Sequence, residues 1–301
     1  MFDRPLLQAL SAVSRTGSFD LAAASLGVTP SAISQRIRLL EERIGAVLVH
    51  RGTPCTPTEI GHRLVAHADQ IAVLEKGLTE DLNVARPSDA LVRIAVSADS
   101  LATWIPPALA GQSGVLFDVL IDDQDHADEL LRKSAVSAAL TSKGARVQGS
   151  DIHALGNLRY IATASPGFVA KHFPDGPTAE AFRLAPAMTF NQKDALQKQW
   201  VQKITGKKID LPTHYMASTH AFIDAALLGI GWGMNPAALV GAHIKSGRLV
   251  AIDETVPLDV PLYWQISRIA AKPLAGLTRA IKREAKMQLI QTGTLSGGTR
   301  D

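Results

Sequence analysis

The chain has 301 residues, enough for two domains. Its 46% hydrophobic and 20% charged residues are those of a folded globular protein and exclude a disordered chain. A formal charge of +3 permits a nucleic-acid partner without requiring one, and the single cysteine, Cys55, excludes an internal disulfide. No Cys/His cluster has metal-ligand spacing, and no apolar run reaches the roughly 18 residues of a membrane span. The start, Met-Phe-Asp-Arg-Pro, lacks a basic-then-apolar export signal. The expected setting is the reducing cytoplasm, with no membrane partner, metal or cofactor.

In chain order, Leu6, Leu10 and Val13 form an apolar helical stripe, and Gly17-Ser18 supply a stop and a fresh N-cap. A small-residue helix then runs into Gly27-Val28-Thr29-Pro30, and a second helix follows at once. Next, "VLVHRGTPCTPT" (47–58) is a β-prone run closed by turn residues, which predicts a small hairpin or wing. A long helix is expected from Thr58-Glu59. Its apolar positions Ile60, Leu64, Ile71, Leu74, Leu78 and Leu82, with His67 as the one polar member, lie close to a heptad seam. That seam predicts a helix-to-helix dimer contact.

"ARPSD" (85–89) reads as a linker. Beyond it, short β-rich runs alternate with helical ones: 91–97, 115–121, 136–140, 160–165, 185–190, 214–218, 229–234 and 261–267. Alternation of this kind predicts a mainly parallel α/β sheet, here in two linked lobes with a cleft between them. The tail "TGTLSGGTRD" is expected to fray. The organisation is therefore a helical part with a small wing over 1–57, a long helix with its hinge over 58–87, and a two-lobed α/β part over 88–301.

The abrupt joint in "LAAASLGVTPSAISQRIRLLEERIG" (21–45) carries the first functional reading. At 100° per residue, Ile33, Ile37, Leu40 and Ile44 fall on one stripe and must be buried. Ser31, Ser34, Gln35 and Arg38 point away from it, with Arg36 on the flank. Thr29 suits an N-cap and Pro30 the first helical position, while Ala22–Ala24 and Gly27 let two helices cross closely. Gln and Arg pair with base edges, and Ser reaches phosphates or bases. The candidate DNA-binding residues are thus Thr29, Pro30, Ser31, Ala32, Ser34, Gln35, Arg36 and Arg38, with Arg51 from the wing. On geometry alone the same pair serves equally well as a solvated helical hairpin. Residues 1–65 hold seven arginines against five carboxylates, so any DNA affinity has to come from placement more than from bulk charge.

The stretch "GSFDLAAASLGVTPSAISQRIRLLEERIG" closely resembles the signature of the LysR-type transcriptional regulators. The order of parts is similar as well: an N-terminal winged helix-turn-helix, all-α with a small β wing, then a linker helix, then a C-terminal two-lobed α/β domain like the periplasmic binding proteins. "VTPSAISQRI", "VSADSLATWIPPAL", "FPDGPT" and "LYW" resemble most the branch of that family that senses basic amino acids and controls their export, the ArgP and LysG type. The resemblance implies a dimeric or tetrameric regulator that binds a double-stranded operator. It also implies a small-molecule effector, lysine or arginine, with RNA polymerase as a further partner. An aromatic or organic acid as effector is the alternative within the family.

Open α/β lobes bind ligands beyond the carboxyl ends of their strands. By that rule Ser97, Asp99 and Ser100 follow the first strand of the regulatory domain, Asp122 and Asp123 the second, and Thr141 the third. Thr219 and His220 stand at the matching junction of the second lobe. Ser97, Ser100 and nearby amides suit an α-carboxylate, and Asp122 and Asp123 suit a side-chain cation. Capping and solvation are the bland alternatives for each acid taken singly. In the branch that the chain resembles, an acidic residue often stands where His220 is here, a departure that weighs against lysine or arginine in particular.

Other features read as structural. Gly229, Gly231 and Gly233 follow a helix rather than a strand, so they are no dinucleotide fingerprint. Trp104, Trp232 and Trp264 are expected to pack. No nucleophile elbow or other catalytic signature occurs, so no catalytic residue is assigned and an enzyme is not expected.

Overall fold

The computed structural model describes residues 2–84, 89–121 and 127–291. The linker residues 85–88, Asp122, Asp123 and the tail 292–301 lie outside the described residues.

The N-terminal domain packs α1 (Arg4–Thr16), α2 (Phe19–Leu26) and α3 (Pro30–Ile44) ahead of a hairpin of β1 (Val49–His50) and β2 (Thr56–Pro57). Gly17 ends α1 in the left-handed conformation, and Ser18 Oγ accepts the Leu21 N–H to start α2. Gly27 (φ 64°) makes the same break before α3, whose Thr29 Oγ1 accepts the Ala32 N–H at 3.2 Å. The core holds Leu6, Leu10, Val13, Ala22, Ala23, Ile33, Ile37, Leu40 and Leu48, all buried. Each large aliphatic contributes about 2 kcal/mol by leaving water. The wing is tied to this body by the Cys55 N–H, which donates to Gly17 O at 2.8 Å.

Helix α4 (Glu59–Asp81) starts at Thr58, whose Oγ1 accepts the Gly61 N–H. Its inner face runs through Gly61, Val65, Val73 and Lys76, all buried. Val65 belongs to the DNA-binding core and Val73 to the regulatory core, so one helix is shared by both. The predicted seam lies on the other side, where Ile60, Leu74, Leu78 and Leu82 are exposed. Leu64 and Ile71 differ from that reading, since both rest partly against the chain's own N-terminal core.

The C-terminal domain runs β3 (Ala90–Val96), α5 (Ala98–Thr103), α6 (Ile105–Ala110), β4 (Val115–Ile121), α7 (Ala127–Arg132), β5 (Ala138–Thr141) and then β6 (Ser150–Ala164). It continues with α8 (Pro166–His172), α9 (Ala179–Leu184), β7 (Ala187–Thr189), α10 (Leu196–Thr205), β8 (Thr213–Tyr215), α11 (Thr219–Leu227) and β9 (Gly233–Pro236). It closes with α12 (Ala237–Lys245), β10 (Val250–Ala251), β11 (Leu258–Ser267), α13 (Arg268–Ala271) and α14 (Ala275–Gln288). The main sheet has seven strands in the order β10-β6-β11-β5-β3-β4, with β9 also on β6, while β7 and β8 pair separately.

The expectation of a mainly parallel sheet is corrected here. Among the strands of the described residues only β3 with β4, β3 with β5, and β7 with β8 pair in parallel; β6 and β11 are long antiparallel neighbours running from one lobe into the other. The first half of β6 escapes sequence reading because Gly156 and Asn157 interrupt its pattern. Gly156 has φ 115°, and the β6–β11 register shifts opposite it, between Leu262 and Tyr263. The last helix returns to the first lobe: α14 packs on α6, and Trp264 Nε1 donates to Thr278 Oγ1 at 3.2 Å. Among the described residues no helix is long and apolar enough to cross a membrane, and no group of His, Cys, Asp and Glu could hold a metal.

Candidate nucleic-acid interface and effector cleft

Helix α3 buries Ile33, Ile37 and Leu40 against α1 and α2 and turns its other side outward. Ser31, Gln35 and Arg38 are exposed there, while Ala32, Ser34 and Arg36 are half-buried on its flanks. Thr29 and Pro30 form the helix start. The Thr29 hydroxyl caps Ala32 and meets the Ser31 hydroxyl at 2.9 Å. Arg38 Nε donates to Glu42 Oε1 at 3.0 Å, an exposed pair of little strength that a phosphate can outcompete. In the wing the exposed Arg51 guanidinium lies 5.6 Å from the Phe19 ring centroid, a cation–π contact that engages its flat face. Arg4 and Arg43 are drawn away by Glu75 and Asp3, so the cations over this face are a selected few.

The effector-side residues gather where the parallel strands end. Val96 of β3 stands in register with Ile121 of β4, and Ala95 with Ala139 of β5. Ser97 caps α5: its Oγ accepts the Ser100 N–H at 3.3 Å and donates to Ser100 Oγ at 2.9 Å. Of the groups expected to suit an α-carboxylate, the Ser100 amide is already satisfied by Ser97 and the Ser100 side chain is completely buried. Thr141 is buried too. Its hydroxyl donates to Lys143 O at 3.2 Å and accepts from Gln265 Nε2 at 3.1 Å, which pins the loop after β5.

Asp99 is the residue on which both lobes converge. Its Oδ1 accepts from Thr219 Oγ1 at 2.6 Å, and its Oδ2 accepts from Tyr160 OH at 2.9 Å. Burial pushes this carboxyl above the usual carboxylate range, while the Thr219 and Tyr160 hydrogen bonds pull the other way. Thr219 opens α11 behind the Ser218 cap and is buried; His220, next to it, is exposed.

Tyr160 was not among the residues expected here. It is buried in β6, and the only sequence signal was its place at the head of the run "YIATAS". Gln265 was also missed; its carbonyl accepts from Val147 N and Ser150 Oγ while its amide donates to Thr141 Oγ1 and Ala145 O. Trp104, Trp232 and Trp264 are buried packing residues as expected. Gly231 and Gly233 serve close approach: a Cβ would stand 2.8 Å from Pro186 O in the first and 2.6 Å from Phe222 Cε1 in the second.

A winged helix-turn-helix at one end and a two-lobed α/β domain at the other, sharing one long helix, define a ligand-responsive DNA-binding regulator. Residues 5–62 match the family model of the bacterial regulatory helix-turn-helix protein, lysR family, and residues 85–286 match the LysR substrate binding domain. The chain belongs to the LysR family of transcriptional regulators. It is 42% identical over 284 residues to the transcriptional regulator LysG of Mycobacterium tuberculosis, covering 94% of this chain and 93% of that one. The lysine export transcriptional regulatory protein LysG of Corynebacterium efficiens is 34% identical, over 94% of this chain and 98% of that one. Among solved structures, ArgP from Mycobacterium tuberculosis is 40% identical with a TM-score of 0.77, covering 96% of this chain and 99% of that one. Full-length LysG from Corynebacterium glutamicum with bound effector Arg is 31% identical with a TM-score of 0.62, again over 96% and 99%.

Proposed function

We propose that this regulator senses lysine or arginine in the cleft between its lobes and adjusts transcription of an amino acid exporter gene accordingly. The observation that carries the reading is Asp99, a carboxylate with partners from both sides of the cleft, suited to an amino acid's α-ammonium group. Ser97, at the edge of the same cluster, orients the α-carboxylate. Asp122 and Asp123, which follow β4 in the chain, are the partners this reading assigns to the side-chain cation. Two further carboxylates favour a long cationic side chain over an acidic or aromatic one. A relative named for lysine export and a solved LysG with bound effector Arg agree with this chemistry.

On this reading residues 1–57 bind DNA, 58–87 link and dimerise, and 88–301 bind the effector. Ser31, Ser34, Gln35 and Arg38 read the major groove, Arg36 and Arg51 hold backbone phosphates, and Thr29, Pro30 and Ala32 set the helix start against the groove edge. The protein acts in the cytoplasm as a homodimer or homotetramer and performs no catalysis. Ligand binding biases the oligomer's arrangement on DNA only through states that bind ligand unequally. Calorimetry of the full chain with lysine, arginine, glutamate and an aromatic acid tests the reading. Binding of lysine or arginine alone is expected; a preference for the acidic or aromatic ligand overturns it.

A further inference from the structure

Helix α4 passes from one core to the other between Val65 and Val73, and the residue midway between them on that face is Asp69. Its side chain is only 12% exposed, and its Oδ2 is buried without a hydrogen bond. The nearest cation is Arg93 of β3, whose Nη1 stands 3.7 Å from that oxygen. Arg93 is itself held by Asp118, its register partner on β4, with Nε donating to Asp118 Oδ2 at 2.8 Å. From α1, Arg15 adds a second positive charge acting on Asp69, and Asp118 a negative one. Helix α13 meets α4 farther along, where Lys272 pairs with Asp81 at 2.7 Å. A carboxylate has therefore been placed where a valine would fit the helical pattern, at a point where α1, α4, β3 and β4 act on a single group.

We propose that Arg93 is a positioning residue, and that the trio Asp118–Arg93–Asp69 is the joint through which the first two strands of the regulatory domain set the docking of α4, with Asp69 as its proton-responsive member. The strands in question are the two that end at Val96 and Ile121, beside the residues proposed to hold the effector. A shift of their ends moves Arg93 along with them, and Arg93 is what Asp69 meets across the joint. An ionised carboxylate with an unsatisfied buried oxygen is held there at a cost, which desolvation explains: burial raises the Asp69 carboxyl to about 6, against the opposing pull of Arg93 and Arg15. Docking of α4 on β3 thus favours the protonated acid, and undocking into water favours the ionised one. Low pH tightens the joint and rising pH loosens it.

Hydrogen–deuterium exchange of the full chain, read on peptides spanning residues 66–76 and corrected for intrinsic exchange, tests this from pH 5 to pH 8. In wild type, protection of α4 is expected to fall about tenfold over that range. Asp69→Asn keeps the shape without the charge and should give a flat profile. Arg93→Gln should move the midpoint up and Asp118→Asn should move it down, as the loss of each charge requires, while Arg93→Lys should restore the wild-type midpoint but not the wild-type protection of α4. An unchanged profile in Asp69→Asn, or a midpoint indifferent to Arg93→Gln, overturns the proposal. A carbon-13 titration of the Asp69 carboxyl in the unmodified protein needs no variant to fold, and a midpoint in the ordinary range near 4 overturns it equally.

Discussion

The Thr219 hydroxyl donates to Asp99 Oδ1 at 2.6 Å, joining the first turn of α11 in one lobe to α5 in the other. Tyr160 of the crossing strand β6 holds the remaining oxygen, so the carboxylate is fixed from two directions before a ligand arrives. An ammonium group placed beside it meets a preset acceptor. Asp99→Asn removes the charge while keeping the size, and hydrogen bonds to charged groups contribute about 1.5–3 kcal/mol. Lysine or arginine affinity should fall at least tenfold in calorimetry, and Thr219→Val should cost less because the carboxylate survives. Wild-type affinity in Asp99→Asn would remove this residue from the site.

On the proposed reading, recognition by α3 and the wing separates into two kinds of contact with different signatures. Gln35 is exposed on the outward face and carries an amide of the kind that pairs with adenine edges, so Gln35→Ala should lower discrimination at one base-pair position by about 1–3 kcal/mol. Arg51 lies off that face, stacked on Phe19, and suits a phosphate. Arg51→Ala should weaken all sequences alike and reduce the salt dependence by about one ion. Gel-shift titrations at several salt concentrations distinguish the two, and a loss of sequence preference in Arg51→Ala would reverse the assignment.

Much of this was legible in the sequence, and the reasons divide cleanly. Caps and breaks are local: Gly17, Ser18, Gly27 and Thr29 each act on a backbone group within five residues, so helix ends could be read directly. The stripe Ile33-Ile37-Leu40 is equally local, being one helix's periodicity. Tyr160 was not legible, because what matters about it is a hydroxyl that reaches Asp99 from 61 positions away. Gln265 depends on partners as far as 124 positions away. The resemblance supplied the two-lobed plan, but the antiparallel crossing by β6 and β11 lay hidden behind a glycine bulge. On α4 the pattern found the open seam and passed over Asp69 on the opposite side.

That open seam leads to the next expectation. Leu74 and Leu78 are 45% and 57% exposed on the same side of α4, whereas Ile71 already leans on the N-terminal core. Replacing Leu74 and Leu78 with lysine puts unpaired charges into any helix-to-helix contact without disturbing the monomer, a cost of several kcal/mol. Sedimentation should report monomers and operator binding should collapse. A double variant that stays dimeric would place the interface elsewhere.

Gly61 makes a sharper demand on the base of the wing. A Cβ at this position would run into Leu48 O and stand 3.1 Å from Pro57 Cβ, so α4 cannot lie where it does with any other residue there. Gly61→Ala should therefore displace the hairpin from the helix and lower stability by about 1–3 kcal/mol, despite alanine's better helix propensity. Thermal unfolding of the full chain measures this, and a melting temperature raised by the change would mean that the wing yields freely.

The final expectation concerns pH and the cleft. Burial raises the Asp99 carboxyl above its ordinary range, although the Thr219 and Tyr160 hydrogen bonds oppose that. Because the folded, ligand-free protein holds this proton more tightly than the unfolded chain does, the associated stability is present at low pH and is lost as pH rises through the folded-state value. A ligand ammonium reverses the preference, since it stabilises the ionised form and expels the proton on binding. Arginine should therefore raise the melting temperature least in acid and progressively more as pH rises. In Asp99→Asn this part of the pH dependence should vanish while folding is retained. Thermal shift of both proteins with and without arginine, across the acidic range up to neutrality, gives the comparison. An arginine-induced shift in wild type that grows as pH falls would mean that the ligand's ammonium does not meet Asp99.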